Sequence, residues 1–394
     1  MHSCHTPPRI PFRITDDRDE MESLGRQIVT ANPDIYTDRV VGVIRGHIAK
    51  MMPNAPAEDK ENIFYRSVYD YWAYGSLIME EFAYNFFSKT HAQKKEYITK
   101  KNFSPYYNHL NDLKVARNLL ANKYNAYNYF KNHYVRDVFL LNSETDYGSF
   151  ALFSEKHPEF VVKPVTFDSG RGIHKESLND YKNWQDMFNK LRAERDFLEA
   201  NLPKRDFLSV EHVPALLLEA IIEQVPEMAA LHPASLNLLR ITTVNVGGKI
   251  SILYASIKIG RDYHFLNNPA VGGFSAMVNP KTGIVETGLF DEFEHSQFPL
   301  ERHPNTGFKI IGFQIPRWNE VLSLSEELAK KLETINYVGW DFALTTANGR
   351  ETWCVVEGND YGGVVMPQIA YGRGIRSKFE DLIGWKLEKQ FWWQ

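Results

Sequence analysis

The chain of 394 residues is long enough for two or three domains with buried cores, and its 43% hydrophobic and 24% charged residues are ordinary for a globular protein. A net charge of −4 gives no sign of the basic surface by which proteins bind nucleic acid. Two cysteines, Cys4 and Cys354, are too few for a disulfide framework or a cysteine-rich zinc site.

The sequence also lacks the marks of secretion and membrane insertion. The residues from Pro7 to Glu22 do not form the apolar core of a signal peptide. No run comes near the roughly 18 apolar residues that predict a membrane-spanning helix. We therefore expect a cytoplasmic protein without membrane insertion.

The first third of the chain predicts helices. About 25 residues at the start are polar and rich in proline, so we expect a loose leader there. From Asp38 to about Phe130, apolar residues recur at the three-to-four spacing of a helix face, as Tyr69, Trp72 and Phe82 illustrate. Residues 1–118 are therefore predicted to form a helical N-terminal region.

After Tyr134, short runs of β-branched residues bounded by glycine and proline predict strands. These strands are expected over residues 160–164, 216–222, 239–246, 250–259, 337–345 and 352–357. Gly247 and Gly248 separate two of them and predict a hairpin, and a helix is expected over residues 318–332. The pattern favours an α+β chain with mostly antiparallel strands.

Three polar residues occupy the last two predicted strands. Glu357 and Asn359 are two positions apart, so they share one face of an extended strand. A three- or five-residue turn centred on Gly349 would place Asp341 opposite Glu357, whereas a two-residue turn would pair Asp341 with Val356. Two facing carboxylates attract a cation, and with the Asn359 carbonyl they suit Mg²⁺. Taken alone, acids at a solvated sheet edge would explain the pattern equally well.

A lysine and a glycine-bearing turn follow one another in the middle of the chain. Lys163 lies near the end of a predicted strand, and residues 165–173 contain Gly170, Arg171 and Gly172. Such a turn can offer fixed positive charge and free backbone N–H groups to a phosphate chain. Its spacing matches neither a Walker A loop nor a dinucleotide fingerprint. By itself, an ordinary turn with a surface arginine is the simpler explanation.

Two further cations lie on predicted strands. Arg240 is surrounded by apolar neighbours, and a buried arginine needs an anionic partner. That partner is either a triphosphate or acyl-phosphate ligand, or an acid of the protein core. Lys258 also lies in an apolar strand and is expected to need an anionic partner of the same kind.

The order of these elements resembles the ATP-grasp superfamily, and most closely its sugar-transfer-associated branch. The resemblance extends over most of the chain and rests on an ordered set of short segments: NLLRITT at 237–243, GGF at 272–274, NPKTG at 279–283, HPNTG at 303–307, IPRW at 315–318 and GWD at 339–341. It implies an ATP-grasp fold, in which two α+β lobes clasp ATP. We expect these lobes over residues 119–225, with the glycine loop, and 226–394, with the metal ligands.

The resemblance also implies roles for individual residues. The residues expected to bind the nucleotide are Lys123, Lys163, Ser169, Gly170, Gly172, Glu219, Ile221, Glu223 and Glu227, with the ribose partner left open between the last two. The implied Mg²⁺ ligands are Asp341, Glu357 and Asn359, and the implied catalytic residues are Arg240, Lys258 and Arg171. The chain departs from the branch at Leu238, where threonine is common, and at Lys258, where arginine is common.

The superfamily's usual reaction is implied as well. ATP phosphorylates a carboxylate, and an amine then displaces phosphate from the acyl-phosphate. The branch implies small, sugar-linked substrates from the assembly of cell-surface polysaccharide or sugar conjugates. Two alternatives stay open: a kinase that phosphorylates a small-molecule or sugar hydroxyl, and a nucleotide-gated binding protein. The sequence also leaves open whether two copies form a homodimer.

Overall fold

The protein is represented by a computed structural model that describes residues 8–167, 170–202, 211–262, 272–291, 295–296, 298–347, 349–388 and 391. The chain divides into two compact units. The first comprises residues 1–109, 287–301 and 363–394, and the second comprises residues 110–286 and 302–362. The three-part division expected from the sequence, with boundaries at 118 and 225, stays a prediction.

The helices are, in chain order, α1 Arg18–Ala31, α2 Asp38–Met51, α3 Ala57–Tyr74, α4 Ile78–Ala83, α5 His91–Lys94, α6 Lys100–Leu110, α7 Leu113–Ala116, α8 Lys123–Phe130, α9 Tyr147–Lys156, α10 Trp184–Asn201, α11 Pro226–Ala229, α12 Trp318–Lys330, α13 Val365–Ala370 and α14 Arg376–Ile383. None of the described helices is both long and apolar enough to cross a membrane.

The first unit is built around α1, α2 and α3. Their apolar faces meet in one core that includes Ile28, Phe64 and Trp72, each almost fully buried. The expectation of a loose leader was wrong for α1, which begins at Arg18. Its first turn is capped by Asp17, whose carboxylate accepts a hydrogen bond from the backbone N–H three residues later at 2.9 Å.

The second unit contains all nine described strands, which are β1 Val138–Leu141, β2 Glu159–Pro164, β3 His174–Ser177, β4 Leu216–Ala220, β5 Leu238–Val246, β6 Lys249–Ile259, β7 Phe274–Val278, β8 Tyr337–Ala347 and β9 Arg350–Asn359. They form a four-stranded sheet in the order β1-β4-β2-β3 and a five-stranded sheet in the order β7-β6-β5-β8-β9. Every pairing is antiparallel, and β5 and β6 form the predicted hairpin. The predicted α+β fold with a helical N-terminal region is confirmed.

Helices cover both faces of the four-stranded sheet. On one face, α9 and α10 enclose a core that contains Phe150, Phe160 and Leu191. On the other face a smaller cluster forms around Leu217, and Tyr124 of α8 packs against it. The start of α8 therefore lies over the sheet face onto which alternate residues of β2 and β4 point.

Candidate functional site

Asp341 on β8 lies directly opposite Glu357 on β9, as predicted, but the register arises differently. Ala347 pairs with Arg350, so only two positions separate the strands; the first, Asn348, lies outside the described residues. An unbroken ladder from this pair would bring Asp341 against Val356. One extra residue in β9 shifts the pairing between the turn and the acids, which is a β-bulge.

One face of the five-stranded sheet carries a network of charged side chains. Arg240 on β5 lies opposite Asp341, and its Nε and Nη2 donate to Oδ1 and Oδ2 at 2.6 Å each. Lys258 on β6 donates to Oδ2 at 3.1 Å. The Asn359 amide donates to the same oxygen at 3.3 Å. The core acid that the sequence left open as a partner for Arg240 is thus Asp341.

The charges around Asp341 keep it ionised although it is only 3% exposed. Burial alone would raise the pKa of this carboxyl, but Arg240 and Lys258 outweigh burial and lower the pKa to about 2. Burial and the neighbouring Arg240 lower the pKa of Lys258. Asp341 is therefore an anion, and two cations already compensate its charge.

The donor set fits a magnesium ion by chemistry. Glu357 is half-buried, and its carboxylate makes no hydrogen bond or ion pair within the described part of the chain. Asp341 Oδ1 accepts one hydrogen bond and keeps a second lone pair. The described residues hold no cluster of three or more histidine, cysteine or acidic side chains that could bind a metal. A metal at this face would therefore rely on two carboxylates and the Asn359 amide oxygen.

Glu219 on β4 holds two cations on the face of the four-stranded sheet below α8. Lys163 on β2 donates to its Oε2 at 2.7 Å. Arg136, just before β1, reaches the same oxygen through Nε at 2.9 Å. Burial would raise the pKa of Glu219, but the two cations outweigh burial and lower it. Glu219 is therefore an anion that holds Lys163 in place.

Lys123 opens α8 and lies beside the turn that follows β2. Its backbone N–H donates to the Val165 carbonyl at 3.0 Å, and its ammonium group donates to the Phe167 carbonyl. The Asn122 side chain caps the helix by accepting from the N–H groups of residues 124 and 125. The lysine is 9% exposed and thus held at a fixed position near the glycine turn.

The two lysines and two of the acids line one small pocket in the second unit. Its walls are formed by Leu120, Lys123, Ala126, Tyr134, Lys163, Ile173, Glu219, Val356 and Glu357. The pocket measures about 20 Å³, which is room for about one water molecule. A nucleotide could enter only after these side chains separate.

The chain turns at Gly170 and Gly172, where the sequence predicts a glycine-bearing turn. Gly170 and Gly172 have positive φ angles of 77° and 70°. A Cβ at position 172 would lie 2.8 Å from the Pro164 ring, so the turn packs closely on the end of β2. Arg171 is exposed and stacks over Phe167. Ser169 lies outside the described residues.

The segment after β4 is open to solvent. Ile221, Glu223 and Glu227 are exposed, and none of them lines the pocket. The Glu223 carbonyl accepts from the Thr345 hydroxyl at 2.7 Å, which ties this segment to β8. The structure therefore does not choose between Glu223 and Glu227 as a ribose partner.

Sequence reasoning missed Arg136. Its side chain is 3% exposed, and besides Glu219 it donates to the carbonyls of Val355 at 2.7 Å and Val356 at 3.4 Å. It thus links the four-stranded sheet to the bulge that precedes Glu357. A single arginine before a strand is no recognisable signal, because its partners lie 83 and 220 residues away.

A comparison with known protein families and structures shows which proteins this chain resembles. Residues 93–382 match the family described as sugar-transfer associated ATP-grasp. No curated protein matches the chain.

Among solved structures, D-alanyl-alanine synthetase A from Vibrio cholerae O1 biovar eltor is similar at 12% identity, with 68% of this chain and 61% of that chain covered and a TM-score of 0.36. Phosphoribosylamine–glycine ligase from Thermotoga maritima shares 14% identity, with 70% and 57% covered and a TM-score of 0.39. The biotin carboxylase domain of Hydrogenobacter thermophilus 2-oxoglutarate carboxylase, solved with MgADP, shares 14% identity, with 69% and 47% covered and a TM-score of 0.39. The chain thus spans between about half and three fifths of the length of these structures.

Proposed function

Because the chain belongs to the sugar-transfer associated ATP-grasp family, we propose that it is an ATP- and Mg²⁺-dependent ligase that joins a carboxylate to an amine. The observation that carries this proposal is the meeting of Lys123, Lys163 and Glu357 at one pocket. A metal-bound polyphosphate needs ammonium groups such as these two and a carboxylate such as that of Glu357, which has no hydrogen-bond or ion-pair partner among the described residues.

In the proposed reaction, Lys123 and Lys163 hold the α- and β-phosphates of ATP. Nucleotide entry requires Lys163 to exchange Glu219 for a phosphate oxygen, because Glu219 holds its ammonium group in the structure. The backbone of Glu219 and Ile221 would meet the adenine, and Glu223 or Glu227 the ribose. The turn with Ser169, Gly170 and Gly172 would cover the γ-phosphate.

Asp341, Glu357 and Asn359 would hold the magnesium ion, which supplies charge neutralisation to the phosphate oxygens. Arg240 and Lys258 lie on the same sheet face and would stabilise charge on the phosphoryl group as it moves, a role that Arg171 would share from the glycine turn.

The proposed reaction has two covalent steps. A substrate carboxylate oxygen attacks the γ-phosphorus and the bond to ADP breaks, which gives an acyl-phosphate. The amine nitrogen then attacks the acyl carbon, the bond to phosphate breaks, and the amine loses a proton. The family description supports sugar-linked substrates, and we place the reaction in the cytoplasm, in the assembly of polysaccharide or sugar conjugates.

A product assay tests the proposal. The protein is incubated with ATP, Mg²⁺ and pools of amino acids and uronic-acid sugars, and ADP, phosphate and adduct mass are measured. Release of ADP and phosphate with an adduct that equals two substrates minus one water supports the ligase. A gain of one phosphate on a hydroxyl compound establishes the kinase instead. Magnesium-dependent ATP binding without turnover in any pool supports a binding protein.

Variants then test the residues. Glu357→Gln should reduce Mg²⁺-dependent turnover about 100-fold or more while the fold stays intact by circular dichroism. Glu351→Gln, at the far end of the same strand, is the matched control and should keep normal turnover. Lys163→Met should act like Glu357→Gln, whereas Lys175→Met on the exposed edge strand β3 should not. Normal turnover in Glu357→Gln would remove the metal assignment.

A further inference from the structure

The first unit contains a polar cavity that shares no residue with the proposed ATP site. It measures about 140 Å³, which is space for several water molecules. Three segments line it: the start of α1, the middle of α3, and the stretch from Phe87 to Lys94. All of these lie within the first unit.

The lining carries more positive than negative charge. Its charged residues are Asp16, Arg18, Arg66, Asp70, Lys89 and Lys94, which are four cations and two carboxylates. The two carboxylates are already engaged. Asp70 is fully buried and accepts from Lys94 at 2.8 and 2.7 Å, one bond to each oxygen. Asp16 accepts from the backbone N–H of His91.

Arg66 is the most buried of the cations left over, with a side chain 14% exposed. Its Nε is buried and has no hydrogen-bond acceptor within the described chain. The nearest carboxylate oxygen in an ion pair belongs to Glu22, at 3.7 Å. Burial lowers the pKa of Arg66, the charge of Glu22 opposes this shift, and the charge of Arg18 lowers the pKa further. A buried donor without a partner destabilises the fold, so it calls for an acceptor that occupies the cavity.

The other groups around Arg66 do not supply that acceptor. Glu81 is fully buried near Asp70, and both burial and the charge of Asp70 raise its pKa well above the ordinary value. Both effects favour the protonated form of Glu81, which is a poorer acceptor than a carboxylate. Lys89 is half-buried, its pKa is lowered by burial, and it makes no ion pair among the described residues.

We propose that the cavity lined by Arg18, Arg66 and Lys89 binds a phosphate group. With Glu22 counted beside the four cations and two carboxylates of the lining, one positive charge remains in excess, and a phosphate monoester, with a charge of about −1.5 to −2 at pH 7, supplies the missing negative charge. The planar guanidinium of Arg66 can donate to two phosphate oxygens at once. The phosphate is either free inorganic phosphate or the phosphoryl group of a sugar phosphate.

Isothermal titration of the full chain tests this proposal, with inorganic phosphate, a sugar 1-phosphate and acetate as separate probes at constant ionic strength. Phosphate should bind, and Lys89→Gln and Arg18→Gln should each weaken it about tenfold or more. Lys95→Gln, an exposed lysine on the same segment, should leave binding unchanged. Arg66→Gln should weaken phosphate binding most. If the Arg66→Gln protein does not fold, Lys89→Gln and Arg18→Gln still test the proposal.

The controls separate this site from the proposed nucleotide site. Lys163→Met should keep phosphate binding in the first unit, whatever happens to ATP turnover. Stronger binding of the sugar phosphate than of free phosphate identifies the phosphoryl group of a larger ligand as the natural occupant, and the reverse identifies free phosphate. Equal binding of acetate, unchanged affinity in Lys89→Gln and Arg18→Gln, or loss in Lys163→Met would each overturn the proposal.

Discussion

Replacing Arg136 by methionine should loosen the bulge of β9 that holds Glu357 opposite Asp341. The arginine donates to the Glu219 carboxylate and to the carbonyls of Val355 and Val356, all within the second unit. Methionine keeps most of the side-chain volume and removes every donor. The substitution therefore tests hydrogen bonding and charge with little change in packing.

The expected loss follows from the partners left behind. Breaking a buried ion pair typically costs about 3–5 kcal/mol. Glu219 keeps its contact with Lys163 at 2.7 Å, so its carboxylate is not left unpaired. The loss of the ion pair with Arg136 should therefore cost near the lower end of that range, about 3 kcal/mol. The carbonyl of the buried Val355 loses its donor at 2.7 Å, which adds about 1–3 kcal/mol, whereas the longer 3.4 Å contact to the half-buried Val356 adds little. Arg136→Met should therefore lower the free energy of unfolding by about 4–6 kcal/mol.

Urea unfolding followed by tryptophan fluorescence measures this difference. Arg350→Met, at the exposed start of β9, is the matched control and should change stability by no more than about 0.5 kcal/mol. Arg136→Lys keeps the positive charge but lacks the planar guanidinium. Its free energy of unfolding should therefore lie between those of the wild type and Arg136→Met. An Arg136→Met loss below about 1 kcal/mol would show that the arginine does not hold the bulge.

A double-mutant cycle with Lys163→Met asks whether both cations act through Glu219. Each single variant leaves Glu219 with one cation, whereas the double variant leaves a buried carboxylate without any. The double variant should therefore lose about 1–3 kcal/mol more than the sum of the two single losses. Additive losses would contradict the shared role of Glu219.

Two further predictions concern stability. Gly25→Ala should destabilise the first unit by about 1–3 kcal/mol in urea unfolding, because the new Cβ would lie 2.1 Å from the Tyr65 carbonyl oxygen; Gly46→Ala, with open space around it, should instead stabilise by about 0.5–1 kcal/mol. For Asp341, the folded-state pKa of about 2 lies below the ordinary 3.8, so its stabilisation is present above pH 5 and lost as the pH falls towards 2. Wild type should thus lose roughly 2–3 kcal/mol of stability over that range relative to Asp341→Asn, and a constant difference between the two proteins would contradict the ion-pair account.

The strands could be predicted because their signals are local. Short β-branched runs between turn residues gave β2, β5, β6, β8 and β9 to within a few positions. The start of α1 could not be predicted by the same means, since its polar and proline-rich surroundings suggested a leader. Its helical signal was nevertheless present: Asp17 as a cap, followed by Met21, Leu24 and Ile28 at helical spacing.

The acid pair shows where sequence reasoning reaches its limit. The facing of Asp341 and Glu357 was predicted from an odd-numbered turn, and the structure reaches the same pairing through a two-residue connection and a bulge. A bulge adds one residue without any required sequence. Here Arg136 holds the carbonyls on its two sides, and that contact depends on a residue about 220 positions away. Such a long-range contact cannot be read from the strand itself.

The electrostatics of the site imply that the proposed nucleotide binding would be an exchange of partners. Lys163 is held by Glu219, Arg240 by Asp341, and Lys123 by the Phe167 carbonyl. A polyphosphate that reached all three cations would have to replace each of these acceptors. The gain from each new contact is therefore the difference between two charge-assisted bonds, which is smaller than either bond. Glu357 is different, because its carboxylate has no protein donor to give up within the described chain. If the proposal holds, metal binding at Glu357 contributes more net free energy than any single lysine, so the affinity for ATP should depend steeply on Mg²⁺.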